Sequence, residues 1–90
     1  MKAAQWKERV ASIGCILCSH LGHEDTPATL HHIREGQGKG QRAPDWLVIP
    51  LCFYHHQGPE GFHTLGSRFY SRFKLDELDL LALTIEKAIR

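Results

Sequence analysis

The first apolar positions of the chain recur at helical spacing. Trp6, Val10 and Ile13 lie three or four residues apart within residues 3–13, among residues that are mostly polar or small. An α-helix repeats every 3.6 residues, so this spacing predicts one helical face packed against the protein. Gly14 follows directly and is a residue type that commonly ends a helix.

Two short segments in the middle of the chain have the character of strands. Residues 29–33 are partly β-branched, and residues 46–51 form an apolar run, WLVIPL, in which Pro50 marks an edge or a bulge. Residues 35–44 read EGQGKGQRAP, a composition typical of a turn-rich connection. The pattern predicts two strands joined by a glycine-rich loop.

The second half of the chain predicts three helical segments. One begins at Cys52 and stops before Gly58, and another, residues 67–73, places Phe69 and Phe73 on one face. A last helix begins near Asp76, which is a favourable N-cap residue. The residues that we expect this helix to bury are Leu80, Leu81, Ile85 and Ile89. The order of elements predicts a small α+β domain whose centre is strand, strand and helix.

Composition and charge narrow the class of protein. Ninety residues with 42% hydrophobic content suit one small folded domain, and domains of this size often need a metal or disulfides for stability. No run approaches the roughly eighteen apolar residues of a membrane-spanning helix, and residues 1–12 are too polar for a signal peptide. We therefore expect a soluble intracellular protein without a membrane partner. The net charge of +1 is only weak support for a nucleic-acid partner.

The cysteines are candidates for a metal site. Cys15 and Cys18 are separated by two residues, as are Cys52 and His55, and tetrahedral zinc takes four sulfur and nitrogen ligands of this kind. Three cysteines, an odd number, fit a disulfide framework badly. The two pairs predict a structural zinc on these four residues, with Cys15 to Cys18 as a tight turn.

Three alternatives to this zinc site stay open. The cysteines could be buried thiols that pack as small hydrophobic side chains. Cys15 and Cys18 could form a redox pair, although no thioredoxin-like βαβ pattern surrounds them. His20 or His23, which lie close to Cys18, could replace His55 as fourth ligand; otherwise we expect both to be ordinary surface histidines.

The remaining histidines are His31, His32, His56 and His63. Neighbouring side chains point to opposite faces of a strand and about 100° apart on a helix, so adjacent histidines can serve two different tasks. Metal-dependent hydrolysis of a phosphodiester needs a general base, which imidazole supplies near neutral pH, and a divalent ion. Two neighbouring histidines at the end of a strand, which point to different sides, could give one ring to each of these tasks.

The segments Leu30-His31-His32-Ile33 and Leu51-Cys52-x-x-His55-His56 resemble the HNH, or ββα-metal (His-Me finger), nuclease motif. In that family a His or Asp followed by His ends the first strand, and a Cys-x-x-Cys-His opens the helix. From about Gly14 to Ile85 the chain is similar to small phage and prophage nucleases of the recombination-enhancement (Ref-like) type. The resemblance implies a zinc-stapled ββα-metal core with flanking N- and C-terminal helices, forming a single nuclease domain over residues 1–90.

The resemblance also implies a role for each histidine. His32 would be the general base that activates water. His31 and His56 would hold the catalytic ion, together with His63, which resembles an extra ligand of some phage relatives. The expected ion is magnesium or manganese, although imidazole ligands would also accept zinc or nickel. His55 would stand where many relatives have the last zinc-binding cysteine.

One position departs from the family pattern, because the chain contains no asparagine. In the HNH family the asparagine braces the loop between the strands and orients the base through hydrogen bonds. Asp45 or Gln41 lies in the corresponding region, and either side chain could accept such a hydrogen bond.

Two groups of basic residues are candidates for contacts with DNA. Arg34, Lys39 and Arg42 lie in the connecting loop, and Arg68 and Arg72 lie in a segment without acidic residues. Such side chains bind phosphates and need not read sequence. Each of them taken alone could equally be a solvated surface charge.

Taken together, the residues and the resemblance predict a metal-dependent DNA endonuclease of phage or prophage origin that acts in the cytoplasm of the bacterial host. The resemblance further implies a role in recombination beside a strand-exchange recombinase. The alternative is a non-catalytic zinc module that binds DNA or another protein, and the missing asparagine is its main support.

Overall fold

The computed structural model describes all 90 residues and has six helices around one two-stranded antiparallel sheet. In chain order the elements are α1 (Ala3–Ser12), α2 (Ile16–His20), β1 (Thr29–His32), β2 (Val48–Leu51), α3 (Phe53–His56), α4 (Phe62–Leu65), α5 (Arg68–Phe73) and α6 (Glu77–Ala88). This is a small α+β fold, as the sequence predicts. None of the helices is both long and apolar enough to cross a bilayer.

The N-terminal helix ends where the sequence predicts. Trp6 and Val10 are buried on its inner face. Gly14 has φ +78°, and a Cβ there would lie 2.9 Å from the carbonyl oxygen of Thr26. The next residue donates its amide to the same carbonyl, Cys15 N to Thr26 O, at 2.8 Å. Glycine is therefore required at this turn, which leads α1 directly into the first cysteine pair.

The register of the sheet decides which way each histidine of β1 points. His31 lies opposite Ile49, and His32 lies opposite Val48. Side chains alternate between the faces of a strand, so His31 is turned into the protein, 2% exposed, and His32 to the other side. Strand β2 is two residues shorter than predicted, because Leu47 donates its amide to Pro44 in a turn.

The hydrophobic core has two parts. The larger one surrounds the three cysteines and includes the fully buried Leu17, Leu51 and Leu80 together with Phe69. The smaller one joins α1, β2 and α6 through Trp6, Val10, Val48 and Ala88. Helix α6 contributes to both parts, with Leu80 and Leu81 in the larger and Ala88 in the smaller.

The prediction for the buried face of α6 is correct for Leu80 and Leu81 and wrong for Ile85 and Ile89. Ile85 and Ile89 are 38% and 68% exposed. The buried residues of this helix are Glu77, Leu80, Leu81, Thr84 and Ala88. They follow helical spacing, but two of them are polar and one is small. A prediction based on large apolar residues therefore did not identify the buried face of this helix. Thr84 is accommodated because its hydroxyl donates to the Leu80 carbonyl at 2.8 Å.

Two of the one-turn helices are not predicted by the sequence. Cys15 to Cys18, expected as a tight turn, is the start of α2, with Cys15 as its N-cap. Helix α4 lies in the segment that follows Gly58, to which no element was assigned. Helices this short lack the periodicity from which longer ones are recognised.

Candidate metal centres and active site

One cluster consists of the four predicted zinc ligands, Cys15, Cys18, Cys52 and His55. Cys15 and Cys52 are the N-cap residues of α2 and α3, so each ligand pair spans the first turn of a short helix. The amide of Cys18 donates to the Cys15 sulfur at 3.4 Å, which holds the first pair in its turn. The four donor atoms lie within 4.8 Å of one another, and all three cysteines are free thiols.

The distances within this cluster fit a tetrahedral ion. The Cys18 and Cys52 sulfurs are 3.7 Å apart, and His55 Nδ1 lies 3.3 to 3.9 Å from the three sulfurs. Zinc bonds of about 2.3 Å to sulfur and about 2.0 Å to nitrogen place tetrahedral ligands roughly 3.5 to 3.8 Å apart. The cluster can therefore hold a metal such as zinc.

The chemistry of the thiols agrees with this geometry. Burial, together with the neighbouring Cys15 and Cys52, raises the pKa of the Cys18 thiol to about 12. A hydrogen bond from Thr26 acts in the opposite direction but is outweighed. A thiolate at this position thus needs a cation beside it, which a bound zinc ion would supply. His20 and His23 are exposed and lie outside the cluster.

A second cluster brings together His31, His56 and His63. They come from three elements: β1, the end of α3, and the one-turn helix α4. The Nε2 atoms of His56 and His63 are 3.0 Å apart, and the ring of His31 stands edge-on to His56 with centroids 5.1 Å apart. Nitrogen ligands on one ion are about 3.0 to 3.4 Å apart for bonds near 2.1 Å, so the arrangement suits a shared divalent ion.

A glycine brings His63 to this cluster. A Cβ at Gly61 would lie 2.7 Å from the backbone carbonyl of His56. Its absence lets the start of α4 lie directly against the end of α3, and His63 follows two residues later. His56 is held from the other side by Thr29, whose hydroxyl is 3.1 Å from Nδ1. The Nε2 atom of His56 is thereby left for an ion.

Two rings of this cluster, those of His56 and His63, favour the uncharged form. Burial, followed by the nearby His31 and His63, lowers the pKa of His56 to about 4. Burial also lowers the pKa of His63, with contributions from His31 and Arg34 that outweigh Glu77. Neutral imidazole is the form that ligates metals, so these shifts keep both ligands ready near neutral pH.

Glu77 is a site residue that the sequence analysis did not identify. Its buried carboxylate is 2.6 Å from His31 Nε2 and accepts the backbone amides of Arg34 and Glu35 at 2.7 and 2.8 Å. Burial works to raise the pKa of Glu77, but these hydrogen bonds outweigh it and the pKa is lowered. A carboxylate behind a histidine fixes its tautomer and leaves the other ring nitrogen, here Nδ1, for an ion.

Glu77 gave little signal in the sequence. A glutamate directly after an N-cap is ordinary in the first turn of any helix, where it complements the helix dipole. Only the 46-residue separation along the chain, closed by the fold, makes it a partner of His31.

His32 occupies a separate place on the other face of the sheet. Its Nε2 is 2.8 Å from the carboxylate of Asp45, which lies in the loop that the missing asparagine would brace. Arg42 Nη2 approaches the same ring nitrogen and Asp45, at 3.0 and 3.4 Å. A protonated Nε2 donates to Asp45, so Arg42 donates to the carboxylate and not to the ring. The hydrogen bond from His32 lowers the pKa of Asp45, and the positive charges of Lys7 and Arg42 lower it further. Together they outweigh desolvation, which acts to raise this pKa.

Gln41, the other candidate for the missing asparagine, does not contact His32. Its backbone carbonyl instead accepts a hydrogen bond from Arg34 Nη1 at 2.8 Å. This bond ties the two ends of the glycine-rich loop together.

The predicted basic residues are all exposed, but they differ in how they are engaged. Arg72 is paired with Glu60 at 2.8 Å and stacks on Phe73. Lys39 and Arg68 make no ion pair within 4 Å. Arg34 and Arg42 lie beside the two histidine sites, as described above.

The chain matches the model of the protein family described as "recombination enhancement, RecA-dependent nuclease" over residues 2–88. No similar curated protein and no similar solved structure was found. The match covers nearly the whole chain and every residue of both clusters. The chain therefore belongs to the family of recombination-enhancement, RecA-dependent nucleases, which gives it a nuclease role in recombination.

Proposed function

We propose that this protein is a metal-dependent endodeoxyribonuclease of the HNH, or ββα-metal, type, which hydrolyses phosphodiester bonds of DNA during recombination. The observation that carries the proposal is the convergence of His31, His56 and His63, while a carboxylate holds the adjacent His32 on the other face of the strand. The order β1, β2 and α3 supports the ββα-metal assignment. In this assignment Asp45 takes the part of the missing asparagine.

His32 is the proposed general base. Because its Nε2 donates to Asp45, its Nδ1 carries the lone pair that can accept a proton from water. The side chain is 18% exposed, so water can reach it. Arg42 lies next to this pair and is placed to contact a phosphate of the DNA strand.

His31, His56 and His63 would hold the catalytic ion. A divalent ion supplies charge neutralisation at the phosphate and at the departing oxygen. Three imidazoles suit manganese, zinc or nickel better than magnesium, which prefers oxygen ligands. The four-residue cluster of Cys15, Cys18, Cys52 and His55 would hold a separate structural zinc.

The proposed contacts to the DNA backbone are Lys39, Arg68 and Arg34, because none of these side chains forms an ion pair with a carboxylate of the protein. Arg72 is a weaker candidate because its side chain already forms an ion pair with Glu60. The family description supports a RecA-type recombinase as partner. The proposed setting is the cytoplasm of a bacterium that carries the phage or prophage.

Cleavage of supercoiled plasmid tests the proposal. The protein is incubated with plasmid and manganese or magnesium, with and without RecA, ATP and a homologous single-stranded oligonucleotide. We expect nicked or linear product, and we expect His32→Ala to lower the rate about 10²- to 10⁴-fold, the usual contribution of a general base. Asp45→Ala should lower the rate by a smaller factor, because it disturbs only the orientation of the ring.

The matched control is His20→Ala, which removes an exposed histidine outside both clusters. It should cleave like the wild type. Cleavage by His32→Ala at the wild-type rate would disprove the role of the base. DNA binding without any cleavage, under all these conditions, would instead identify a zinc-bearing binding module.

A further inference from the structure

A cavity of about 360 Å³ opens beside the His31–Glu77 pair. Its apolar walls are Phe62, Phe69 and Leu75, and Tyr70 lies at its rim with 54% of its surface exposed. Arg34 and Glu77 line the side nearest the histidines. None of these residues except Arg34 was expected to contact a ligand, and apart from Arg34 and Glu77 the lining has no part in the chemistry described above.

The cavity and the three-histidine site share a wall. The ring of Phe62 lies 5.1 Å, centroid to centroid, from His31 and 4.7 Å from Phe69. Glu77 lines the cavity and holds His31 at 2.6 Å. A group in the cavity is thus one side chain away from an ion held by the histidines.

The lining suits a flat heteroaromatic group. Aromatic rings offer a stacking surface, and bases stack on such rings in many proteins that bind single strands. Arg34, Glu35 and Ser67 place a cation, a carboxylate and a hydroxyl at the same opening, a mixture that can pair with the donors and acceptors of a base edge. The volume of the cavity lies at the lower end of the range for small-molecule sites. The cavity is therefore too small to hold a DNA duplex and is large enough for one nucleotide.

We propose that this cavity, the base pocket, binds one unpaired nucleobase of the DNA strand whose phosphate lies at the three-histidine site. The inference rests on the proposed function, and it adds a substrate class. A paired base is stacked inside the duplex and must leave it to enter such a pocket, at an energetic cost that an unpaired base does not bear. The protein therefore prefers single-stranded or locally unpaired DNA near the cleaved bond.

Binding of abasic oligonucleotides tests the base pocket without requiring cleavage. A fluorescent single strand of deoxythymidine is titrated with the full-length protein in the absence of added magnesium and manganese, and gel analysis verifies that the strand stays intact. The strand is shortened to the minimum length that retains full affinity, so that it binds in one register, and is then prepared with one abasic residue at successive positions. We expect one position at which the loss of the base weakens binding about tenfold, the size typical of a stacked base.

The variant Tyr70→Ala connects this loss to the pocket. It should weaken binding of the intact strand about tenfold and leave binding of the abasic strand unchanged, since the contact is already lost there. Tyr70→Phe should bind like the wild type. Tyr54→Ala is the matched control, because Tyr54 is similarly exposed, at 47%, and lies outside the pocket. Thermal unfolding and zinc content show whether each variant is folded.

Equal affinity for intact and abasic strands at every position would overturn the base pocket, as would an equal loss of both strands in Tyr70→Ala. These results are independent of the plasmid assay. A protein that cleaves plasmid but ignores base removal retains the proposed function and loses the pocket. A protein that senses the base but never cleaves retains the pocket and loses the nuclease chemistry.

Discussion

His31 and His32 are adjacent in the chain, yet a different carboxylate holds each ring. Glu77 reaches His31 from the start of α6, and Asp45 reaches His32 from the loop before β2. Each carboxylate accepts from Nε2 and so leaves Nδ1 with its lone pair. Strand alternation separates the two rings, and under the proposed function the carboxylates would prepare one ring for an ion and the other for a proton.

The variant Glu77→Gln tests this account at His31. An amide at this position can donate to His31 Nε2, which would move the ring proton to Nδ1 and block the atom that an ion needs. We expect affinity for manganese or zinc at the three-histidine site to fall about 10- to 100-fold, the usual effect of losing a partner behind a metal ligand. Isothermal titration with the cysteine cluster already loaded measures it.

The control for this variant is Asp76→Asn, the neighbouring carboxylate. Asp76 accepts the amide of Asp79 as N-cap of α6, and asparagine is an equally good cap. Its ion affinity should match that of the wild type. If Glu77→Gln also binds the ion normally, the carboxylate only positions α6.

At the scale of elements, the site is built from helices too short to form alone. Helices α2, α3 and α4 have five, four and four residues. Isolated helices shorter than about twelve residues are marginal in water. Their geometry must therefore come from what they bind and pack against, which here is the cysteine cluster and the close approach of α4 to α3.

The variant Gly61→Ala tests the approach of α4 to α3. Gly61 has φ −80°, which alanine adopts freely, so the effect is one of space alone. A Cβ 2.7 Å from the His56 carbonyl forces the backbone apart, at a typical cost of about 1–3 kcal/mol. We expect a lower free energy of unfolding in urea and weaker ion binding, because His63 moves away from His56.

Gly38→Ala is the matched control for this variant. Gly38 lies in the loop between the strands, and a Cβ there would meet only the flexible side chain of Gln41, at 3.4 Å. Its stability and ion affinity should stay near the wild-type values. Unchanged ion binding in Gly61→Ala would show that His63 does not depend on this contact.

At the scale of the whole molecule, the cysteine cluster lies inside the larger hydrophobic core. The cysteines pack with Ile16, Leu17, Ile49 and Phe69, so a metal held there joins α2, α3 and the sheet. Structural zinc in small domains contributes roughly 10–16 kcal/mol, and whole domains have a net stability of only about 5–15 kcal/mol. The folded state of this chain should therefore depend on the metal.

Removal of the metal with a strong chelator tests this dependence. We expect the cooperative thermal transition and the near-ultraviolet circular dichroism to disappear, and one equivalent of zinc to restore both. The variant His63→Ala serves as control, since it disturbs only the other cluster and should retain one tightly bound zinc. A chelated protein that still unfolds cooperatively would show that the apolar core suffices.

The sequence alone determined the local features of this protein. Cys15-x-x-Cys18 and Cys52-x-x-His55 each lie within one turn, the alternation at His31 and His32 follows from a strand, and Gly14 ends a helix. Features of this kind depend on the backbone period over a few residues, and the chain specifies them before it folds. The spacing of the cysteines and His55 was sufficient to predict the first cluster that could hold a metal, and the family resemblance was needed to predict the second.

The tertiary structure alone decided which distant groups meet. It pairs His31 with Glu77 and His32 with Asp45, turns Thr84 inward and Ile89 outward, and encloses the cavity lined by Phe62 and Phe69. These outcomes depend on how α6 and the connecting loop pack on the sheet, and packing is a competition among all buried surfaces at once. The identity of a glutamate or a threonine in the sequence does not show which distant residue it will contact in the folded protein.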